Sequence, residues 1–177
     1  MNDVIYLAGG CYWGVEKYMA SIKGVVATEV GFANGFVENP TYQQVRYSET
    51  GHAETVKVTY HREELPLETL LRLFWLIIDP TAVDQQGEDV GHQYRTGVYW
   101  TQAEDEMVVK DALAQLATKY EAPLAVEACP LASFWTAEEY HQKYLDKNPG
   151  GYCHVPFGRI AWVAGIDPLT WDGTSNY

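Results

Sequence analysis

Apolar positions change period along the chain, and the changes mark its elements. Val4 to Ala8 is a short apolar run ending at Gly9-Gly10, and helix-like spacing follows from Trp13 to about Ile22. Val25 to Ala33 is rich in β-formers; after a long loop holding Gly35, Asn39 and Pro40, alternation returns at Val56, Val58 and Tyr60. Leu65-Pro66 opens a second amphipathic helix running to Ile78, and Thr96 to Trp100 reads as a strand. This β-α-β-β-α-β order predicts an α+β fold with a ferredoxin-like split βαβ core, two helices covering one face of a mostly antiparallel sheet. Additions are predicted beyond it: a helix over about Ala103 to Tyr120, a strand at Leu124 to Ala128, and a helix after Thr136, where Thr136 and Glu139 have capping-box spacing. The tail from Lys147 is rich in Gly and Pro, and is expected to be irregular and mobile, with Asn148-Pro149-Gly150-Gly151 turning directly into Cys153.

Composition narrows the setting. A chain of 177 residues, 47% apolar, without repeats or linker-like stretches, is expected to form one domain over residues 1–177. No basic, hydrophobic leader opens it and no apolar run approaches the roughly 20 residues of a membrane span, so a cytoplasmic location is expected. With 24 acidic against 12 basic residues, nucleic acid would be repelled. Three cysteines are too few for a secreted disulfide scaffold and suit a reducing compartment, where any disulfide is transient.

Candidate chemistry begins at Gly9-Gly10-Cys11-Tyr12-Trp13-Gly14, where a strand turns into a helix. The thiol of Cys11 should meet unpaired backbone N–H groups at the positive helix end, which favours thiolate, and Tyr12 and Trp13 offer aromatic surface to a thioether or apolar group. The alternative is a small buried hydrophobe among ordinary core residues. Glu54, in Gly51-His52-Ala53-Glu54, enters a strand where desolvation would keep it protonated and able to act as a general acid; a solvated strand-edge glutamate is the alternative. Tyr42 in Pro40-Thr41-Tyr42 and Tyr94 in the stretch Gln86 to Arg95 lie in loops, where their phenols either donate to a polar oxygen or simply pack.

At these residues, from about Tyr6 to Cys153, the sequence resembles the A-type peptide methionine sulfoxide reductases. The nucleophile motif Gly-Cys-Phe-Trp-Gly stands here as Gly10-Cys11-Tyr12-Trp13-Gly14, joined by Gly51-His52-Ala53-Glu54, Asp89-Val90-Gly91 through Tyr94-Arg95, Tyr140-His141-Gln142 and Asn148-Pro149-Gly150-Gly151-Tyr152. The resemblance implies that Cys11 attacks the sulfoxide sulfur of the S epimer and that Glu54 protonates its oxygen. Tyr42 and Tyr94 would hydrogen-bond that oxygen, Asp89 would support the polar side, and Tyr12 and Trp13 would hold the methyl group. It further implies a Cys11 sulfenic acid, resolution by Cys153 as a Cys11–Cys153 disulfide, and thioredoxin as reductant. A monomer without cofactor is expected.

Departures and rivals complete the reading. Tyr12 replaces phenylalanine and adds a hydroxyl that must find a partner. His92 stands where threonine or serine is common, and Cys129 is expected to be structural. His52-Ala53-Glu54 fits half of the zinc deaminase signature, but no Cys-x-x-Cys accompanies it, so no metal is expected. A thiol hydrolase would leave Cys153 without a purpose, and a binding module for methionine side chains would leave Cys11 unreactive.

Overall fold

In the computed structural model, which describes residues 2–175, the first apolar run is strand β1 (Asp3–Gly9). Its alternation splits two faces: Ile5 and Leu7 join the main core, while Tyr6 and Ala8 join a smaller cluster on the other side. There follow α1 (Tyr12–Ala20), β2 (Val25–Ala33), α2 (Tyr42–Tyr47), β3 (Ala53–Tyr60), α3 (Leu67–Trp75), the two-residue strands β4 (Gln85–Gln86) and β5 (Asp89–Val90), and β6 (Thr96–Trp100). The remainder holds α4 (Asp105–Ala117), β7 (Glu127–Pro130), β8 (Phe134–Thr136), α5 (Tyr144–Lys147) and α6 (Phe157–Ala164).

Six strands form one mixed sheet in the order β7-β6-β1-β3-β2-β8, antiparallel except for the parallel pair β6 and β7. The α+β class is therefore observed. Central β1 is buried along most of its length and reads as a nearly continuous apolar run, whereas β3 alternates, with Val56, Val58 and Tyr60 buried between the half-buried Lys57 and Thr59. The main core gathers Leu70, Leu71, Phe74 and Trp75 of α3, Val15 and Met19 of α1, Val109 of α4 and Ile160 of α6 over one face of the sheet.

Several expected elements differ. The second helix ends at Trp75 rather than Ile78, because Asp79 precedes Pro80 and its backbone is held instead by the Gln86 side chain, which accepts from Asp79 N–H and donates to Asp79 C=O at 2.8 Å each. The third helix is trimmed to Asp105–Ala117, and the expected strand at Leu124 to Ala128 is shifted to Glu127–Pro130. The capping box at Thr136 and Glu139 does not form: Thr136 ends β8 and bonds Glu29 across the sheet, and only a 3-10 turn (Glu139–His141) and the short α5 follow. A capping box does stand at Thr41 and Gln44, opening α2 inside the stretch read as loop. The tail read as irregular contains α6, whose Ile160 and Val163 are buried. Residues 1, 176 and 177 of the expected unit lie outside the described residues.

Candidate active site

Gly10 takes φ +89°, and a Cβ there would lie 2.7 Å from Gln86 Cβ, so the turn out of β1 requires glycine. The turn leaves Cys11 as N-cap of α1, 8% exposed, with no side-chain cap bond. The free N–H groups are used as their position suggests: Tyr12 N–H donates to Glu54 Oε1 at 3.2 Å, and Trp13 N–H points at the Cys11 sulfur. The expected thiolate is nevertheless corrected. Burial first, then the neighbouring Glu54, push the Cys11 thiol well above its ordinary range, outweighing the Trp13 N–H.

Glu54 sits near the start of β3, opposite Phe32 of β2 and 2% exposed, so the solvated-edge alternative fails. Burial raises its carboxyl to about 8, against the pull of the Tyr12 N–H, and it is predominantly protonated at neutral pH. Tyr42, the first residue of α2, is placed by Glu138, whose two oxygens accept from Tyr42 N–H at 3.2 Å. Tyr94 ends a 3-10 turn (His92–Tyr94), nearly buried, its hydroxyl accepting from Arg46 at 3.2 Å. Burial, followed by Glu54, raises both phenols, so each remains a donor. Asp89 lies on β5, and its Oδ2 accepts from the Tyr152 hydroxyl at 2.8 Å. Cys11, Glu54, Asp89, Tyr42 and Tyr94 thus share one electrostatic neighbourhood.

Trp13 is clamped. Its indole stacks on Tyr144 with centroids 3.7 Å apart, and its Nε1–H donates to His141 Nδ1 at 3.0 Å. His141, 1% exposed, lies within 6 Å of the Tyr12, Trp13, Tyr42 and Tyr140 rings. The residues after it anchor this segment: Gln142 bonds both the N–H and C=O of Val30, and Lys143 N–H donates to the buried Glu16 at 2.7 Å. Tyr140-His141-Gln142 and Tyr152 carry no role that the sequence alone assigns; a polar residue between aromatics is the available signal. Tyr12 is 1% exposed and packs on Phe32, but its added hydroxyl is buried without a partner among the described residues.

Cys153 lies beside α1 rather than free of it. Its thiol donates to Val155 C=O at 3.1 Å, and its sulfur is 3.2 Å from where a Gly14 Cβ would stand, as is His154 Nδ1. His154 Nε2 donates to Gly9 C=O at 3.1 Å, tying the tail to the nucleophile turn. Cys129 is remote, on the edge strand β7, where it packs with the smaller cluster and accepts from Asn34 at 3.6 Å. No group of three metal-ligating side chains occurs among the described residues. His52 instead accepts from Gly35 N–H at 3.0 Å and donates to Val37 C=O at 2.7 Å, so both its nitrogens shape the loop before β3.

The model of the family described as peptide methionine sulfoxide reductase matches residues 3–162. The chain is 56% identical over 155 residues to the peptide methionine sulfoxide reductase MsrA of Lachnoclostridium phytofermentans, covering 88% of this chain and 93% of that one. Among solved structures it is similar to Mxr1 of Saccharomyces cerevisiae in reduced form, with TM-score 0.81, 35% identity and coverage of 86% and 88%. It is also similar to methionine sulfoxide reductase A of Corynebacterium diphtheriae, with TM-score 0.77, 36% identity and coverage of 86% and 77%.

Proposed function

The chain belongs to the peptide methionine sulfoxide reductase family and is an enzyme that reduces methionine sulfoxide to methionine, and from that premise we propose that Cys11 is its nucleophile and Glu54 its general acid. Cys11 sulfur attacks the sulfoxide sulfur of the S epimer while the Glu54 carboxyl gives its proton to the sulfoxide oxygen, and Tyr42 and Tyr94 donate to the same oxygen. The proton leaving the Cys11 thiol returns to Glu54. The sulfoxide oxygen ends on Cys11 as a sulfenic acid, and the sulfur leaves as the thioether of methionine. Asp89 and Tyr152 hold the polar side, and Trp13 with Tyr12 holds the methyl group. Cys153 then attacks the sulfenic sulfur, releasing water and forming the Cys11–Cys153 disulfide, which the dithiol of thioredoxin reduces by exchange.

The observation that carries this reading is Glu54: a buried carboxyl raised to about 8, hydrogen-bonded to the helix start that bears Cys11. The tail supports the resolving role, since Cys153 packs against Gly14, three residues beyond Cys11. The order β6-β1-β3-β2, with antiparallel neighbours, supports a split βαβ core within a single domain. Its expected setting is a monomer in the cytoplasm, with neither nucleic acid nor membrane as partner. No helix among the described residues is long and apolar enough to cross a membrane.

Single-turnover reduction of an S-configured methyl sulfoxide by prereduced protein tests the mechanism. Wild type should yield one methionine per chain and lose two thiols, Cys11→Ser should yield none, and Cys153→Ser should yield one while retaining a trappable sulfenic acid. Product from Cys11→Ser, or a trapped Cys11–Cys129 bond, would overturn the assignment.

A further inference from the structure

Beside the reacting groups lies a groove of about 530 Å³ whose walls include Phe36, Arg46, Tyr47, Glu49, His52 and His92. Phe36 and Tyr47 are 74% and 72% exposed, leaving apolar surface at the groove unburied. Arg46 connects the groove to the site, because its Nη1 donates to the Tyr94 hydroxyl at 3.2 Å while its Nε donates to the Tyr47 hydroxyl at 3.1 Å. The guanidinium also lies over the Tyr47 ring, 5.4 Å from its centroid.

This arginine has no anion. Among the described residues no carboxylate lies within ion-pair distance of it, in a chain with 24 acidic residues against 12 basic ones, and Glu49 lines the same groove without pairing. The Tyr47 and Tyr94 phenols use two of the five guanidinium N–H groups and the Tyr42 phenol bonds the same arginine, which leaves two for a further partner. A guanidinium with N–H groups to spare binds a carboxylate by charge-assisted hydrogen bonds, and the phenols hold this one in place. The other charged or titratable groups facing this region are Glu49, His52 and His92 in the groove and Glu54 and Asp89 in the site. None of these is a fixed cation.

We propose that Arg46 and its groove form a carboxylate-binding subsite that orients the substrate beside the oxidised sulfur. The inference rests on the assignment of the reaction to the Cys11 and Glu54 site. The carboxylate comes either from an acidic side chain flanking the oxidised residue in a polypeptide or from the α-carboxyl of the amino acid itself, and the chemistry recognised is the same. An acidic substrate would thus be selected locally by a protein whose net charge of −12 repels it at long range.

The test compares kcat/KM for N-acetyl-methionine sulfoxide amide, N-acetyl-methionine sulfoxide with a free carboxyl, and two blocked peptides carrying Glu or Gln after the sulfoxide. It uses the wild type, Arg46→Gln, Arg46→Glu and Arg46→Lys. Since Arg46 also touches Tyr94, the quantity read is the ratio of each acidic substrate to its neutral counterpart, in which a general change of activity cancels. The ratio should fall by roughly 1.5-fold to fivefold in Arg46→Gln, the range of an exposed ion pair, chiefly through KM. It should fall further in Arg46→Glu and be partly kept in Arg46→Lys. A response confined to the free acid or to the Glu peptide upholds the subsite and names its source. Ratios indifferent to all three substitutions overturn it. Absence of turnover by the wild type on the neutral amide would count instead against the reaction itself.

Discussion

Glu54→Gln should abolish most activity while making the protein more stable, and the size of the gain follows from the carboxyl's surroundings. In the folded chain Glu54 is protonated up to about pH 8, whereas its ordinary value is 4.5. A raised folded value means that the native state holds a proton the unfolded chain releases, so the stability fully present below pH 4.5 is lost progressively as pH rises toward 8. At pH 7 the two states differ over 2.5 units, which at 1.36 kcal/mol per unit is a cost of about 3 kcal/mol. Glutamine keeps an acceptor for Tyr12 N–H and never ionises, so it escapes that cost. In a chain of this length the gain corresponds to roughly 6 to 12 °C in Tm. Thermal denaturation of both proteins at pH 5 and pH 8 reads it directly: the gap should be small at pH 5 and large at pH 8. Single-turnover reduction should be slowed by about two to four orders of magnitude, the contribution of a positioned general acid. A Glu54→Gln protein that melts no higher than wild type at pH 8, or a gap equal at both pH values, would refute the buried neutral acid.

Tyr12→Phe should raise stability by about 1–3 kcal/mol at unchanged single-turnover rate, because it removes a buried hydroxyl that has no partner and keeps the ring; chemical denaturation checks it, and a loss of stability would show that the hydroxyl is bonded. His141→Phe removes the acceptor of the Trp13 indole N–H, and His141→Gln offers another. The first should raise KM for a methyl sulfoxide by about tenfold, corresponding to a lost buried hydrogen bond, and shift Trp13 fluorescence; the second should recover part of both. Equal behaviour of the two would reduce His141 to packing.

How much of this was legible beforehand depended on whether a signal was local. The strand-to-helix turn at Gly9-Gly10-Cys11 could be read because glycine and apolar period act over a few residues, whereas the local pattern around Glu54 left a desolvated acid and a solvated strand-edge carboxylate both open and only the family resemblance chose between them. The short elements were not legible. The helix Tyr42–Tyr47 has one buried side chain, Val45, and so almost no periodicity. The strand Phe134–Thr136 exists only because Gly31, Phe32 and Ala33 present an edge to it. Thr136 and Glu139 had the spacing of a cap, yet the bond to Glu29 was available across the sheet and won. The tail failed for a related reason: Gly and Pro mark turns, but the contacts fixing Cys153 and His154 are with Gly14 and Gly9, over 130 residues away.

The ionisation of Cys11 is set by more than its position at a helix start. A helix N-terminus does stabilise an anion, and the Trp13 N–H does lower the thiol, but that effect is worth at most about 2 kcal/mol even in partly buried geometry. Burying the sulfur beside an equally buried carboxyl raises it by more, and neither burial nor the neighbour is visible at a single motif. The result suits the chemistry better than a resting thiolate would. A permanent thiolate next to Glu54 would favour the carboxyl's proton staying where it is, whereas two neutral groups let the acid ionise at the moment the sulfoxide oxygen takes its proton. In the proposed mechanism the newly formed carboxylate would then draw off the proton of the Cys11 thiol beside it as the sulfur–sulfur contact forms. On that proposal burial of both groups would couple the two proton movements, and the N–H groups of the helix start, Tyr12 toward Glu54 and Trp13 toward Cys11, would position them.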